Sequence, residues 1–262
     1  MSYRIKFSAR SDVGKVRSNN EDNLYCGGVT MTVSSRERPF FLSGISDTPC
    51  IFAVFDGMGG EDCGELASLT AAETLCEHAE RITKGSFEDV IRFAHEANKK
   101  LLAVMRERFI HTGTTLALIS AGKNSFAAYN LGDSRIYRFN GDNLVRVTDD
   151  HTLTEEKVRM GMITPQQALK DRDRNVLTRC LGMENTFEVS PDFCGPFDFA
   201  DNSRALICSD GLTDMLTHKE IADIMRRNES TDVIVNALVD SALDNGGHDN
   251  VTCIVLEFID AQ

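Results

Sequence analysis

Five apolar residues in a row, IFAVF at 51–55, stop abruptly at an acid, Asp56, with glycines at 57, 59 and 60 beside it. A short unbroken apolar run bounded by turn residues fits a strand buried on both faces. Segments equally rich in Val, Ile, Phe and Tyr recur at 3–8, 23–26, 114–120, 125–131, 134–139, 204–208 and 251–258. Between them the hydrophobic period lengthens to that of a helix. One helical stretch covers about 64–81, and a second opens at the cap Ser86 and carries Phe87, Val90, Ile91, Ala94, Ala97, Leu101, Leu102 and Met105 at three- and four-residue steps. This pair predicts antiparallel helices lying on a sheet.

Later helices are marked by their caps. Thr217 with Glu220 fits a capping box before IADIMRR, and Ser230 or Thr231 opens VIVNALVDSAL, which stops at Gly246 and Gly247. Thr164, Pro165 and Gln167 supply a cap, a first-turn proline and a reciprocal glutamine for a short helix inside a polar excursion, 148–182. No repeat, low-complexity tract or linker divides the chain. Hairpins mixed with helices predict an α+β fold with largely antiparallel sheets, in one domain spanning 1–262.

Composition narrows the function. The 262 residues, 42% hydrophobic, suffice for one large core, and a net charge of −12 leaves no basic field to recruit nucleic acid or anionic lipid. No apolar run approaches the roughly 18 residues of a membrane helix, and the start, MSYRIKFSAR, has no apolar stretch after its basic residues, so a cytoplasmic protein without a membrane partner is expected. None of the eight cysteines forms a CxxC pair, and several, such as Cys208 and Cys253, lie in apolar runs. Reduced core thiols fit better than a disulfide framework or a zinc site. The surplus of acids is read either as solvated faces or as carboxylates gathered around cations.

The positions of certain acids favour the second reading for a few of them. Asp56 follows IFAVF, Asp210 follows ALICS, Asp249 precedes VTCIVLEF, Asp133 joins SFAAYNLG to SRIYRF, and Glu21 with Asp22 precedes the strand at 23–26. Taken singly, each Asp-Gly or Gly-Asp pair is turn chemistry. Taken together, carboxylates crowding one rim of a sheet would repel and hold protons unless a cation lay between them. Oxygen ligands from separate segments suit Mg²⁺ or Mn²⁺, and the sequence offers no Cys/His cluster for zinc. Gly57 permits close backbone approach and could present its carbonyl as a further ligand. Arg17, four residues before Glu21, is either an ordinary ion-pair partner or a fork for phosphate.

The ordered set RSNNED, VFDGMGG, TGTTLAL, NLGDSRIYR, DDHTLTEE, NVLTRCLG, ICSDGLTD and GGHDNVTCIVL resembles the metal-dependent protein phosphatases, the type 2C serine/threonine class, in its bacterial branch. The resemblance covers about 8–258. It implies two antiparallel β-sheets packed as a central sandwich flanked by antiparallel α-helices, a four-layer αββα arrangement, with 148–182 as a helical flap. It implies that Asp56 bridges two Mn²⁺ or Mg²⁺ ions, that Asp210 and Asp249 complete one shell, and that Glu21 and the Gly57 carbonyl serve the other. Asp22 would orient ligands or waters, Asp133 would join a third, weaker metal, and Arg17 would bind phosphate. The implied activity is hydrolysis of phosphoserine and phosphothreonine in proteins by a water activated between the ions, with no covalent phosphoenzyme. A bacterial serine/threonine kinase and its substrates are the implied partners, and a monomer is expected. No cysteine has an arginine six positions later, so the cysteines are read as structural.

The chain also departs from the family pattern. Many eukaryotic members carry histidine where this chain has Met58, and methionine cannot protonate a leaving group. A metal-bound water is then the expected donor. His151 is the alternative, although a structural hydrogen bond at the base of the flap is its simpler reading. Asp171 and Arg172 stand where bacterial relatives often have His-Pro, which leaves the flap conformation open. Two rivals are weighed. A catalytically dead regulatory module would have lost carboxylates that this chain keeps at Glu21, Asp56, Asp210 and Asp249. A phosphatase for anti-sigma-factor antagonists would lack the flap insertion.

Overall fold

The computed structural model describes residues 3–59, 63–185, 189–200 and 203–260. Strands β1 (Tyr3–Asp12), β2 (Asn23–Cys26), β3 (Val29–Thr30), β4 (Phe40–Asp47), β5 (Cys50–Phe55) and β6 (Gly57–Met58) come first. Helices α1 (Gly64–Lys84) and α2 (Phe87–Arg108) follow, then β7 (Gly113–Thr114), β8 (Leu116–Ala121), β9 (Ser125–Leu131), β10 (Arg135–Phe139) and β11 (Leu144–Arg146). After α3 (Leu153–Arg159) and α4 (Pro165–Ala168) come β12 (Asp192–Asp198), β13 (Arg204–Cys208), α5 (Asp210–Thr213), α6 (His218–Met225), α7 (Thr231–Asp244) and β14 (Val251–Asp260). One antiparallel sheet runs β11-β10-β13-β14-β1-β4 and the other β12-β9-β8-β5-β2-β3, with β6 and β7 paired beside them.

Side-chain alternation explains why the sheets stack. Along β5, Phe52 and Val54 point between the sheets, while Ile51, Ala53 and Phe55 meet α1 and α2. Along β14, Ile254, Leu256 and Phe258 join the inter-sheet core, whereas Val251, Cys253 and Val255 face the core built with α6 and α7. Both faces are covered, so these strands read as unbroken apolar runs. Three cores in sequence give helix, sheet, sheet, helix, the four-layer α+β arrangement.

The helices form where their caps lie. Ser86 and Asp89 make a reciprocal box at the start of α2, and Thr217 and Glu220 make one at α6. Beyond α7, Gly246 and Gly247 take φ of 132° and 53°, a left-handed exit that a side chain would strain.

Several boundaries differ from the sequence reading. The segment 114–120 breaks into β7 and β8 at Thr115, whose side chain and amide turn to the Asp56 backbone instead of continuing the ladder. Strand β4 was not predicted. It lies at a sheet edge, so Phe41 and Ile45 stay about half exposed and Ser43, Gly44 and Ser46 dilute the apolar signal. Strand β12 was not predicted either, because Gly195 and Pro196 interrupt it where its register with β9 shifts. The polar excursion contains α3, capped by Thr152, besides the expected α4 with its Thr164–Gln167 box. No disulfide joins any of the eight cysteines; Cys26, Cys180, Cys208 and Cys253 are buried, but Cys76 is exposed. No described helix is long and apolar enough to cross a membrane.

Candidate metal centre

Strand register brings the acids together. Asn23 pairs with Phe55, which places Asp22 beside Asp56 at the end of one sheet. In the other sheet Cys208 pairs with Cys253, so Asp210 emerges next to the start of β14, just after Asp249. Asp133 sits in the turn joining β9 to β10.

The backbone at the Asp56 corner is clamped. Its amide donates to Thr115 Oγ1 at 2.9 Å, and its carbonyl accepts from the Thr115 amide and from Thr114 Oγ1, each at 2.9 Å. A Cβ on Gly57 would overlap the carbonyl oxygens of Gly64 and Glu21, so only glycine lets these three segments meet. Gly60 lies outside the described residues. Glu21 donates its amide to Asn250 Oδ1 at 2.8 Å, and Asn250 Nδ2 donates to the carbonyls of Val13 and Asn19, each at 2.9 Å. One buried amide thus fastens the segment carrying Arg17 and Glu21 to the residue after Asp249. Asp22, 1% exposed, accepts from Ser209 Oγ at 2.9 Å.

The electrostatics match the crowding expected at such a rim. Burial pushes the Asp56 carboxyl well above the ordinary carboxylate range, and the charges of Asp210, Asp22 and Asp133 add to the effect. Asp56 and Asp210 hydrogen-bond each other. Burial, then Asp214 and Asp249, raise Asp210 to about 6; burial raises Asp22 to about 7 against the hydrogen bonds from Thr252 and Ser209. Asp133 is raised by burial and then by Asp210 and Asp150. Glu21 is raised by burial and by Glu65. Arg17 Nη2 donates to Asp249 Oδ2 at 2.7 Å, and that bond, with Glu21 and Asp210 nearby, raises the guanidinium pKa.

These observations test the fit to divalent cations. Among the described residues no three His, Cys, Asp or Glu side chains stand grouped as a finished metal cage. Asp56 is held against Asp210, and Asp249 against the guanidinium of Arg17. Donors that are all carboxylate or carbonyl oxygen, held together against their own repulsion, suit a hard divalent cation. The residues fit.

A cleft of about 530 Å³ opens beside Asp133 and Asp210, and Thr152, Val158, Pro165, Leu169 and Arg174 of the excursion form its far wall. Arg174 Nη2 reaches Asp214 Oδ2 at 3.3 Å, tying the excursion to the turn after Asp210. Asp171 accepts from Lys157 Nζ at 2.9 Å, so it braces α3 internally, while Arg172 is exposed. His151 is buried; Gly132 donates its amide to Nδ1 at 3.1 Å, and Nε2 lies 2.9 Å from Arg179 Nη1 and 3.1 Å from Asp192 Oδ2. Both ring nitrogens are engaged, as the structural reading of His151 expects. Met58 is half-buried, its carbonyl accepting from Thr112 Oγ1 at 3.0 Å. Ser209, Thr252, Asn250 and the Thr114–Thr115 clamp were not singled out from sequence; the only signal was their place next to a strand-end acid.

Comparisons with known proteins show what the chain is similar to. The family described as Protein phosphatase 2C matches residues 14–251. The serine/threonine phosphatase stp of Listeria welshimeri serovar 6b is 32% identical over 255 residues, 95% of this chain and 94% of that protein. The crystal structure of the Mycobacterium tuberculosis serine/threonine phosphatase PstP/Ppp is similar with a TM-score of 0.83 at 28% identity, covering 98% of this chain and 100% of that one. The catalytic domain of PstP in complex with two manganese ions gives 0.81 at 28% identity, covering 99% and 100%.

Proposed function

This chain belongs to the protein phosphatase 2C family, and on that premise we propose that its strand-end carboxylates hold two divalent cations, Mn²⁺ or Mg²⁺, for the hydrolysis of phosphoserine and phosphothreonine in proteins. Asp56 would serve both ions, Asp210 and Asp249 would hold one, Glu21 and the Gly57 carbonyl the other, and Asp133 would belong to a third, weaker site. When bound, such ions make hydroxide available near neutral pH and offset charge on the phosphoryl oxygens.

The chain's own residues do the rest. Arg17 grips the phosphoryl oxygens with its planar fork, and an arriving phosphate competes with Asp249 for that guanidinium. Asp22, buried and held by Ser209, keeps the adjoining ligands in register. Asn250 fixes the segment that carries Arg17 and Glu21. With Met58 unable to give a proton and both nitrogens of His151 occupied, the departing serine or threonine oxygen takes its proton from solvent in the cleft. The excursion 148–182 acts as a flap over that cleft. A bacterial serine/threonine kinase and its substrates, in the cytoplasm, are the fitting partners, and the chain acts as a monomer.

The observation that carries this reading is the convergence of Glu21, Asp22, Asp56, Asp133, Asp210 and Asp249 on one rim, where burial and neighbouring acids raise the first five above the ordinary carboxylate range. Hydrolysis of a phosphothreonine peptide, measured with Mn²⁺ and with EDTA, tests it: turnover is expected only with the cation.

A further inference from the structure

A groove of about 740 Å³ runs between α1 and α2. Along α2, Arg92, His95, Lys99, Leu102 and Arg106 recur at alternating three- and four-residue steps, so they form a single stripe beside the face that Phe93, Ala97 and Leu101 bury. From Arg92 to Arg106 the stripe is about 21 Å long at 1.5 Å of rise per residue. His78 and Arg81 of α1 line the opposite wall. Ile91 and Leu102, half-buried and outside the three cores, give the groove two apolar positions.

Charge decides what such a groove can hold. Four cations line it, Arg81, Arg92, Lys99 and Arg106, against two acids, Glu77 and Glu96. Glu77 is already taken by Lys100 at 2.6 Å. Arg81 Nε donates to Asp89 Oδ1 at 2.6 Å and Arg92 Nη1 lies 3.7 Å from the same oxygen, so one carboxylate serves two guanidiniums. Lys99 and Arg106 are exposed and have no ion-pair partner among the described residues. The groove therefore keeps a positive surplus on a chain whose net charge is −12, and such a surplus attracts and orients an anion. Its cations are too sparse, and too mixed with Glu96, Ile91 and Leu102, to match a duplex nucleic acid, which presents a charge about every 1.7 Å. A peptide that interleaves acids with apolar side chains matches both the cations and the apolar positions between them.

Beyond Arg106 the helix ends at Arg108, and Thr112 Oγ1 then donates to the carbonyls of Met58 at 3.0 Å and Cys63 at 2.8 Å. A short connection thus joins one end of the groove to the loop that follows Asp56. We infer that the groove docks an acidic segment of the phosphoprotein substrate, with apolar residues among its acids, at a distance in sequence from the phosphorylated serine or threonine. The inference rests on the phosphatase reading proposed above. Docking of this kind lowers KM, because the tethered phosphate then meets the metal centre at an effective concentration set by the linker.

The test uses the intact chain with Mn²⁺. A fluorescently labelled peptide of alternating glutamate and leucine is titrated by anisotropy beside the same peptide with glutamine in place of glutamate. The acidic peptide is expected to bind on the order of 10-fold more tightly, and the pair Lys99→Glu with Arg106→Glu to remove that difference. The pair leaves the metal ligands in place, so binding at the groove is told apart from binding at the ions. Should it fail to fold by circular dichroism, Lys99→Gln with Arg106→Gln gives the reading. Phosphothreonine peptides carrying either tail, on either side and through glycine-serine linkers of several lengths, are then hydrolysed. With the acidic tail KM is expected to fall about 10-fold at the linker that spans the gap, with kcat unchanged. p-Nitrophenyl phosphate has no tail and reads the wild-type metal centre alone. Suppose that ester is hydrolysed, but the two labelled peptides bind alike, the folded variant keeps the preference, an oligouridylate binds more tightly than the acidic peptide, or no linker lowers KM. Any one of these overturns the docking assignment while the phosphatase reading stands. If the ester is not hydrolysed, both fall together.

Discussion

Asp56 and Asp210 leave the ends of strands in opposite sheets and hydrogen-bond each other. Two carboxyl groups can do this only while sharing a proton, because two buried anions at that separation repel. The sandwich therefore ends in a junction that is comfortable with a proton and built, on the proposed reading, for a larger charge.

Replacing a ligand carboxylate removes that charge without changing the shape of the corner. Asp56→Asn and Asp249→Asn are each expected to lower turnover of a phosphothreonine peptide in Mn²⁺ by at least about 100-fold, since even residues that only support metal ligands are worth about 10–100-fold. Circular dichroism should be unchanged. Wild-type turnover by either variant would remove that residue from the set.

The same junction makes the metal-free protein sensitive to base. Asp22 and Asp210 titrate near 7 and 6 in the folded chain, above the roughly 3.9 of an unfolded aspartate. Between those values the native state binds protons that the unfolded state has released, so stability is full below about pH 4 and is lost as pH rises through 6 and 7. In EDTA, Tm is expected to fall by roughly 5–10 °C between pH 5 and pH 8, and Mn²⁺ at pH 8 should restore it. A Tm in EDTA that holds or climbs over that range would mean the carboxylates do not strain one another.

Arg17 contacts the substrate phosphate before and during reaction alike. Arg17→Ala should therefore raise KM about 10-fold and leave kcat nearly unchanged, as measured by steady-state kinetics on the phosphopeptide. A normal KM with a much lower kcat would place the guanidinium in the transition state instead.

Asn250 links Val13, Asn19 and Glu21 through one buried side chain. Asn250→Ala strands three polar partners, at a cost of about 2–4 kcal/mol of stability. It should also weaken apparent Mn²⁺ affinity about 10–100-fold by freeing the segment that carries Glu21. Manganese titration of activity reads the second effect separately from a denaturant melt, and an unchanged Mn²⁺ requirement would leave Asn250 a purely structural residue.

How much of this was written legibly in the chain follows from how each signal arises. The run ending at Asp56 was plain because β5 is apolar on both faces, and the Thr217–Glu220 box was plain because its two partners are three residues apart. Strand β4, at an edge with Gly44 lying over the Phe7 ring, carries its register through a partner far away in sequence. The break at Thr115 was hidden for a similar reason: its hydroxyl serves the Asp56 amide across the sheet, and nothing local distinguishes it from a strand threonine. Acids at strand mouths could be picked out, but the buried Ser209, Thr252 and Asn250 that support them look like ordinary turn residues until the strands are paired.

Diffraction data collected at the manganese absorption edge from crystals soaked in Mn²⁺ would test the central claim most directly. The expected result is two strong anomalous peaks, with Asp56 touching both, Asp210 and Asp249 on one, and Glu21 with the Gly57 carbonyl on the other. A map without peaks at that rim, or with Asp56 and Asp210 still bonded to each other beside them, would contradict it.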